Sequence, residues 1–140
     1  THMAARWAAA DWCAALADGT EIPEPVELEL LGSIPRGLHG ILYKCGPARF
    51  MRGGQRYKHW LEGDGCVLRL ELRPAGASFR SRFVRTANFE AEERAGRVLT
   101  RGTFGTPRDG GALANAFDLR LKNPANTHVA RRGDRRAPRP

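Results

Sequence analysis

The 140 residues contain no apolar run near the roughly 18–20 that cross a bilayer. The alanine-rich start, Ala4 to Ala17, is broken by Arg6 and Asp11 and carries no cleavage pattern, so it does not read as a signal peptide. Cysteine is scarce. Cys13, Cys45 and Cys66 stand far apart with no C-x-x-C pair, which argues against a disulfide framework or a thiolate zinc site. They read as reduced thiols, and the expected location is the cytoplasm. Acids are also few, 15 against 23 lysines and arginines, for a net charge of +8. From Val129 to Pro140 five arginines face a single acid, Asp134, so half of the net charge sits in the last twelve residues. Elsewhere the signs alternate, as on a solvated surface and unlike a polyanion-binding face.

What is present reads as short strands and turns. Residues 4–17 form a candidate helix, with Trp7, Cys13 and Leu16 able to share a side, and Glu21 to Pro25 reads as a proline-flanked linker. Val26, Leu28 and Leu30 alternate with Glu27 and Glu29, the period-2 pattern of a half-buried strand. Gly40 to Lys44 reads as a second strand closed by a Gly46-Pro47 turn, and Gly53-Gly54 marks another turn. Leu68, Leu70 and Leu72 oppose Arg69, Glu71 and Arg73; Pro74-Ala75-Gly76 turns the chain, and Ser78 to Thr86 returns. Asn88 is a candidate cap for a brief helix holding Glu90, Glu92 and Glu93, ended by Gly96. The remainder to Asn126 is rich in loops, with a bend at Gly110-Gly111. One domain's worth of chain with such elements is mostly β, part of a propeller or barrel.

Several strings are more specific than the pattern around them. They run Ile34-Pro35-Arg36-Gly37-Leu38-His39-Gly40, Tyr43-Lys44-Cys45-Gly46-Pro47, and Tyr57-Lys58-His59-Trp60-Leu61-Glu62-Gly63-Asp64-Gly65. Arg80 to Thr86, Gly102 to Thr106, Asn115 to Asp118 and Lys122 to Thr127 follow in order. Together they resemble the opening of the carotenoid cleavage oxygenases, with Leu61, Cys45 and Cys66 standing where Phe, Asn and Met are usual. The resemblance implies a seven-bladed β-propeller, of which this chain is the N-terminal part and an incomplete fold. Residues 1–20 are then a helical leader, 21–128 partial propeller and 129–140 a basic tail outside the family pattern. The implied parent activity is oxidative cleavage of a conjugated double bond in a carotenoid or apocarotenoid. O₂ is the co-substrate at a non-haem Fe(II) held by four histidines with glutamate support. Peripheral membrane contact by that parent is part of the same implication.

The family's ligand histidines all lie beyond the Lys122–Thr127 string, so the resemblance places no catalytic, cofactor-binding or metal-binding residue in this chain. His59 belongs to a structural His-Trp motif, His39 and His128 fill variable positions, and His2 lies in the leader. No Fe(II) is expected to bind here. Glu62 and Asp64 have the look of an acid–base pair. The reading preferred is a tight turn in which Gly63 and Gly65 take unusual backbone angles and Asp64 bonds nearby amides. Gly102 to Thr106 is a weak phosphate-loop candidate without the lysine and helix such a loop needs.

In the family a buried strand of the form Val-x-x-x-Gly-Asp-Arg-Leu-Leu-Ala-Leu comes next. Here Val129 and Gly133-Asp134-Arg135 keep that register, but Arg136-Ala137-Pro138-Arg139-Pro140 breaks it, since proline lacks the amide donor and arginine resists burial. Codons CGC GCT CCT CGC CCT encode those five residues and, read one base later, Ala-Leu-Leu-Ala-Leu. The expectation is a frameshift near Arg135, giving a truncated and inactive N-terminal piece that is poorly soluble or loosely packed alone. The alternative is a small noncatalytic binding module whose basic tail engages nucleic acid, although no aromatic residues interleave its arginines. Translating the DNA beyond the Thr127 codon in all three frames separates the two. A second frame that yields Leu-Leu-Ala-Leu, a glutamate and four spaced histidines is the expected result, and its absence favours the module.

Overall fold

The computed structural model describes residues 16–116 and 118–130. The candidate helix over 4–17 lies outside them apart from Leu16 and Ala17, which form a turn and a bend, and the arginine tail from 131 onward also lies outside. Four strands build one antiparallel sheet: β1 (Ile22–Leu28), β2 (Gly40–Arg49), β5 (Asp64–Arg73) and β6 (Gly76–Phe83), in the order β1-β6-β5-β2. Between β2 and β5 a miniature hairpin, β3 (Met51–Arg52) and β4 (Gln55–Arg56), turns on Gly53 and Gly54, whose φ values of 57° and 79° are those of a type I′ turn. A single 3-10 turn, Trp60–Glu62, leads into β5. Two helices follow, α1 (Ala87–Ala95) and α2 (Gly111–Ala116).

The leucine alternation sets the register. Leu68, Leu70 and Leu72 pair with Ser81, Phe79 and Ala77 of β6, and on the other side with Lys44, Leu42 and Gly40 of β2. One face is therefore apolar, while the opposite face carries Arg69, Glu71, Arg80 and Arg82. Helix α1 covers only one end of the apolar face. Its Phe89 joins Cys66 and Phe83 in the core, stacked on Phe83 at 5.4 Å, with Ala48 and Leu68 against them. Towards the hairpin end Val26, Leu28 and Leu42 remain 40–59% exposed.

Four local expectations change. Glu21 to Pro25 is not a linker, because β1 begins at Ile22 and its first residues lie along β6. Prolines are tolerated there because β1 is an edge strand. For the same reason β2 passes through Gly46-Pro47 and ends at Arg49, absorbing the proline with a register shift between Pro47 and Arg49. Helix α1 is capped by Thr86, whose Oγ1 accepts from Phe89 N at 3.1 Å; Asn88 instead donates to Thr100 Oγ1. Gly96 closes α1 with φ 62°, the left-handed ending expected of it. The loop-rich remainder also contains a second helix, α2, starting at the Gly110-Gly111 bend.

Candidate functional site

The best-defined polar site is a buried cluster beneath the β3–β4 hairpin. Arg52 on β3, Asp64 at the start of β5, Glu92 on α1 and Lys122 have side chains 0–4% exposed. The Lys122 ammonium lies 2.6 Å from Asp64 Oδ1 and 2.9 Å from Glu92 Oε2, and donates to the Tyr57 hydroxyl at 2.7 Å. Arg52 donates to Asp64 Oδ2 at 3.0 Å and to the half-exposed Glu93 at 2.7 Å. Tyr57 completes the ring by donating to Asp64 Oδ2 at 3.1 Å, and Lys122 sits 4.3 Å from its ring centroid. Glu92 Oε1 accepts the amides of Leu99 and Thr100, both at 3.0 Å, so α1 is tied to the chain that follows it.

Two buried cations thus meet two buried carboxylates. Burial works against the Lys122 ammonium, but Asp64 and Tyr57 outweigh it and hold its pKa above the ordinary value. The same balance holds Arg52 charged, through Tyr57, Glu93 and Asp64. Burial, then the charge of Asp64, pushes the Tyr57 phenol up, so it stays protonated and able to donate.

Glu62 occupies a separate buried site. Its carboxylate accepts from Phe104 N at 2.6 Å and from the Thr106 hydroxyl, and Thr106 N lies 3.4 Å away. The Gly102–Thr106 loop, read as a weak phosphate-loop candidate, therefore wraps an anion supplied by the chain itself. A Cβ on Gly102 would stand 2.1 Å from Glu62 Oε1. Burial alone would raise the Glu62 pKa; the donors from Thr106 and Phe104 overcome it and hold the pKa below the usual range.

Glu62 and Asp64 are accordingly no acid–base pair, and the turn reading needs correction as well. Asp64 bonds side chains and not neighbouring amides, while Gly63 has ordinary angles (φ −58°, ψ 138°). The glycines are needed for space. A Cβ on Gly65 would lie 2.1 Å from Ala125 O, and one on Gly63 2.9 Å from the Phe50 ring and Pro47. This closeness seats the Lys122–Thr127 strap: Gly65 N donates to Pro124 O at 2.7 Å, and Asn126 Nδ2 donates to Leu61 O and Gly63 O at 2.7 and 2.8 Å. Cys45 donates to Ala125 O at 3.3 Å from the neighbouring strand.

The described histidines do not converge. His59 Nδ1 accepts from Leu61 N at 3.2 Å, and its ring stacks 4.5 Å from that of Phe104. His39 and His128 are exposed on separate segments, and His2 lies outside the described residues. Sequence reasoning missed Arg52 and Glu92 as partners. Tyr57 and Lys122 lay within noted strings, but nothing in those strings announced that they meet.

Residues 17–137 match the family model described as retinal pigment epithelial membrane protein, RPE65. The chain belongs to this family. Over 105 residues it is 45% identical to the apocarotenoid-15,15'-oxygenase of Synechocystis, a match covering 74% of this chain and 21% of that protein. It is 33% identical over 103 residues to resveratrol cleavage oxygenase 1 of Aspergillus fumigatus, covering 74% and 20%. The solved Synechocystis apocarotenoid oxygenase, in its Glu150Asp form, superposes with a TM-score of 0.80 at 37% identity, over 86% of this chain and 26% of that one. The chain thus spans about a fifth of the curated relatives it matches, and its mostly β fold is part of the propeller that this family of carotenoid oxygenases shares.

The four-histidine ferrous centre implied by the family does not fit the described residues. Among them no three His, Cys, Asp or Glu side chains gather as a metal site, and His59 already spends a ring nitrogen on a backbone amide. No step is assigned to iron on this chain.

Two measurements test the site. Lys122→Met leaves Asp64 and Glu92 short of a buried counter-charge and should cost about 3–5 kcal/mol in urea denaturation; a loss below 1 kcal/mol would remove the cluster from its central place. Glu62 is held low as described, and Glu93 is held low by Arg52, against burial, with help from Arg49. Folded-state pKa values below the unfolded one, about 4.3, mean stability that is present above that pH and lost as pH falls through the folded values. Stability should therefore be level near neutrality and decline below about pH 4.3, with a shallower decline in Glu62→Gln.

Proposed function

We propose that this chain supplies a framework portion of a non-haem Fe(II) oxygenase that cleaves a conjugated double bond in a carotenoid or apocarotenoid with O₂. In this reading the iron and its ligands belong to residues outside the 140, and the chain alone catalyses no cleavage. The supporting observation is the buried cluster. Tyr57, Asp64 and Lys122 come from strings characteristic of the family, and the structure spends them on holding the sheet, α1 and the strap together. The two carboxylates with catalytic looks are occupied in the same way, Glu62 by its loop and Asp64 by two cations. An apocarotenoid is favoured as the substrate class because the apocarotenoid-cleaving relative is 45% identical, whereas the chicken β,β-carotene 15,15'-dioxygenase is 29% identical over 86 residues.

The purified chain, given Fe(II), O₂ and an apocarotenal, should retain no stoichiometric iron and leave the polyene absorbance unchanged. Iron and cleavage should appear only when it is mixed with a family polypeptide lacking the matching N-terminal fifth. One tightly held iron per chain, or bleaching by the chain alone, would refute the framework assignment.

A further inference from the structure

We propose that Asp109-Gly110 is a site of spontaneous backbone modification, at which Asp109 converts to isoaspartate through a cyclic imide. The sequence contains three Asp-Gly pairs, at 18–19, 64–65 and 109–110. In such a pair the glycine amide nitrogen attacks the aspartyl Cγ unhindered by a Cβ of its own. The N–Cγ bond forms, a Cγ–O bond breaks and one water leaves. Water then opens the five-membered ring at either carbonyl, returning Asp or giving isoaspartate, with no oxidant, metal or enzyme required. The nitrogen must be free to turn towards the preceding side chain, and the carboxyl must be free to meet it.

The fold withholds both freedoms from two of the three pairs. Gly19 N donates to Ala48 O at 2.6 Å, and Asp18 Oδ1 accepts from Phe50 N at 2.6 Å and Met51 N at 3.2 Å. Gly65 N donates to Pro124 O at 2.7 Å, and Asp64 is gripped by Arg52, Tyr57 and Lys122. At the third pair, Gly110 N donates to no acceptor among the described residues. The Asp109 carboxylate is held by Arg97 at 3.2 Å, and both side chains are more than half exposed, an arrangement that holds weakly. Exposure does not separate the three, since Asp18 is as open to solvent in class as Asp109; the bonds made within the chain do. Gly110 and Gly111, with φ of 120° and 78°, add slack that a side chain would remove. Isoaspartate routes the main chain through Cβ and Cγ and so lengthens it between the Asp109 N–Val98 O bond, 2.8 Å, and α2. Asn115 brackets this spot, accepting from Arg108 N and donating to Arg108 O, both at 2.9 Å, so the added methylene works against the seat of α2. None of these residues belongs to the buried cluster or the Glu62 site, and the inference stands apart from the proposed oxygenase role.

The test ages the chain at physiological temperature and near-neutral pH. Isoaspartate is read by methylation with a protein-isoaspartate methyltransferase and labelled S-adenosylmethionine, and located by tandem mass spectrometry of the peptides. It should accumulate at Asp109 roughly ten-fold or more faster than at Asp18 or Asp64, where local opening must come first. Asp109→Asn should quicken the reaction, because an amide carbon is attacked more readily than a carboxylate. Asp109→Glu should abolish it, because the ring would need a sixth member. In denaturing urea the three unmodified sites should react at similar rates. Label at Asp18 or Asp64 that matches Asp109 in the folded chain, no label at position 109 even in Asp109→Asn, or a lead for Asp109 that persists undiminished in urea overturns the assignment.

Discussion

Everything in the described structure leans on a neutral set of four buried charges. Arg52, Asp64, Glu92 and Lys122 come from the small hairpin, the central strand, helix α1 and the strap, and none has a side chain more than 4% exposed. Taking such groups out of water carries a heavy desolvation cost, offset only when each charge finds its opposite at close range and its spare hydrogen-bonding capacity is used. Tyr57 supplies that last requirement by bridging a cation and a carboxylate, donating to Asp64 while accepting from Lys122. The set works as a unit, since removing any member strands another in a place with little water.

The strap shows how sterics and electrostatics cooperate. Lys122 is drawn in by charge, and three residues later the backbone lies against Gly65 so closely that a side chain there would collide with it. Asn126 then clamps two carbonyls of the Leu61–Gly63 stretch. That stretch presents Glu62 to the Gly102–Thr106 loop, so one short string of sequence organises two buried anions on opposite sides of itself. The chemistry of its residues is used up in doing so, which is why a carboxylate-rich motif acts here as scaffolding.

The sequence made the hairpins and the class of fold legible because strand alternation and turn glycines are local signals. Leu68–Leu72 against Arg69–Arg73 gave the faces, and Gly53-Gly54 and Gly96 marked a turn and a helix end where left-handed angles occur. Errors arose where a local rule met a tertiary exception. Pro47 signals a break in isolation, yet an edge strand tolerates it; Asn88 is a good cap by type, but Thr86 has the correct position and Asn88 a partner in Thr100. The glycines of the Asp-Gly string read as turn formers, but Gly65 is needed to admit the distant Ala125 and Gly63 to admit Phe50 and Pro47. The cluster itself was illegible for the same reason. Glu90, Glu92 and Glu93 look alike along α1, and only the fold decides that Glu92 is the one turned inward.

The position of Lys122 also bears on how the chain is made. Synthesis delivers residues from the N-terminus, so Arg52, Tyr57, Asp64 and Glu92 all leave the ribosome before Lys122 does. Until then the interior holds two carboxylates and a single fully buried cation, an arrangement that burial disfavours. The sheet and α1 lie wholly upstream of Lys122 in the chain, but they cannot close tightly over an unbalanced charge. Balanced burial of the set therefore depends on the last of its members to be made, and the strap that carries Lys122 completes this region.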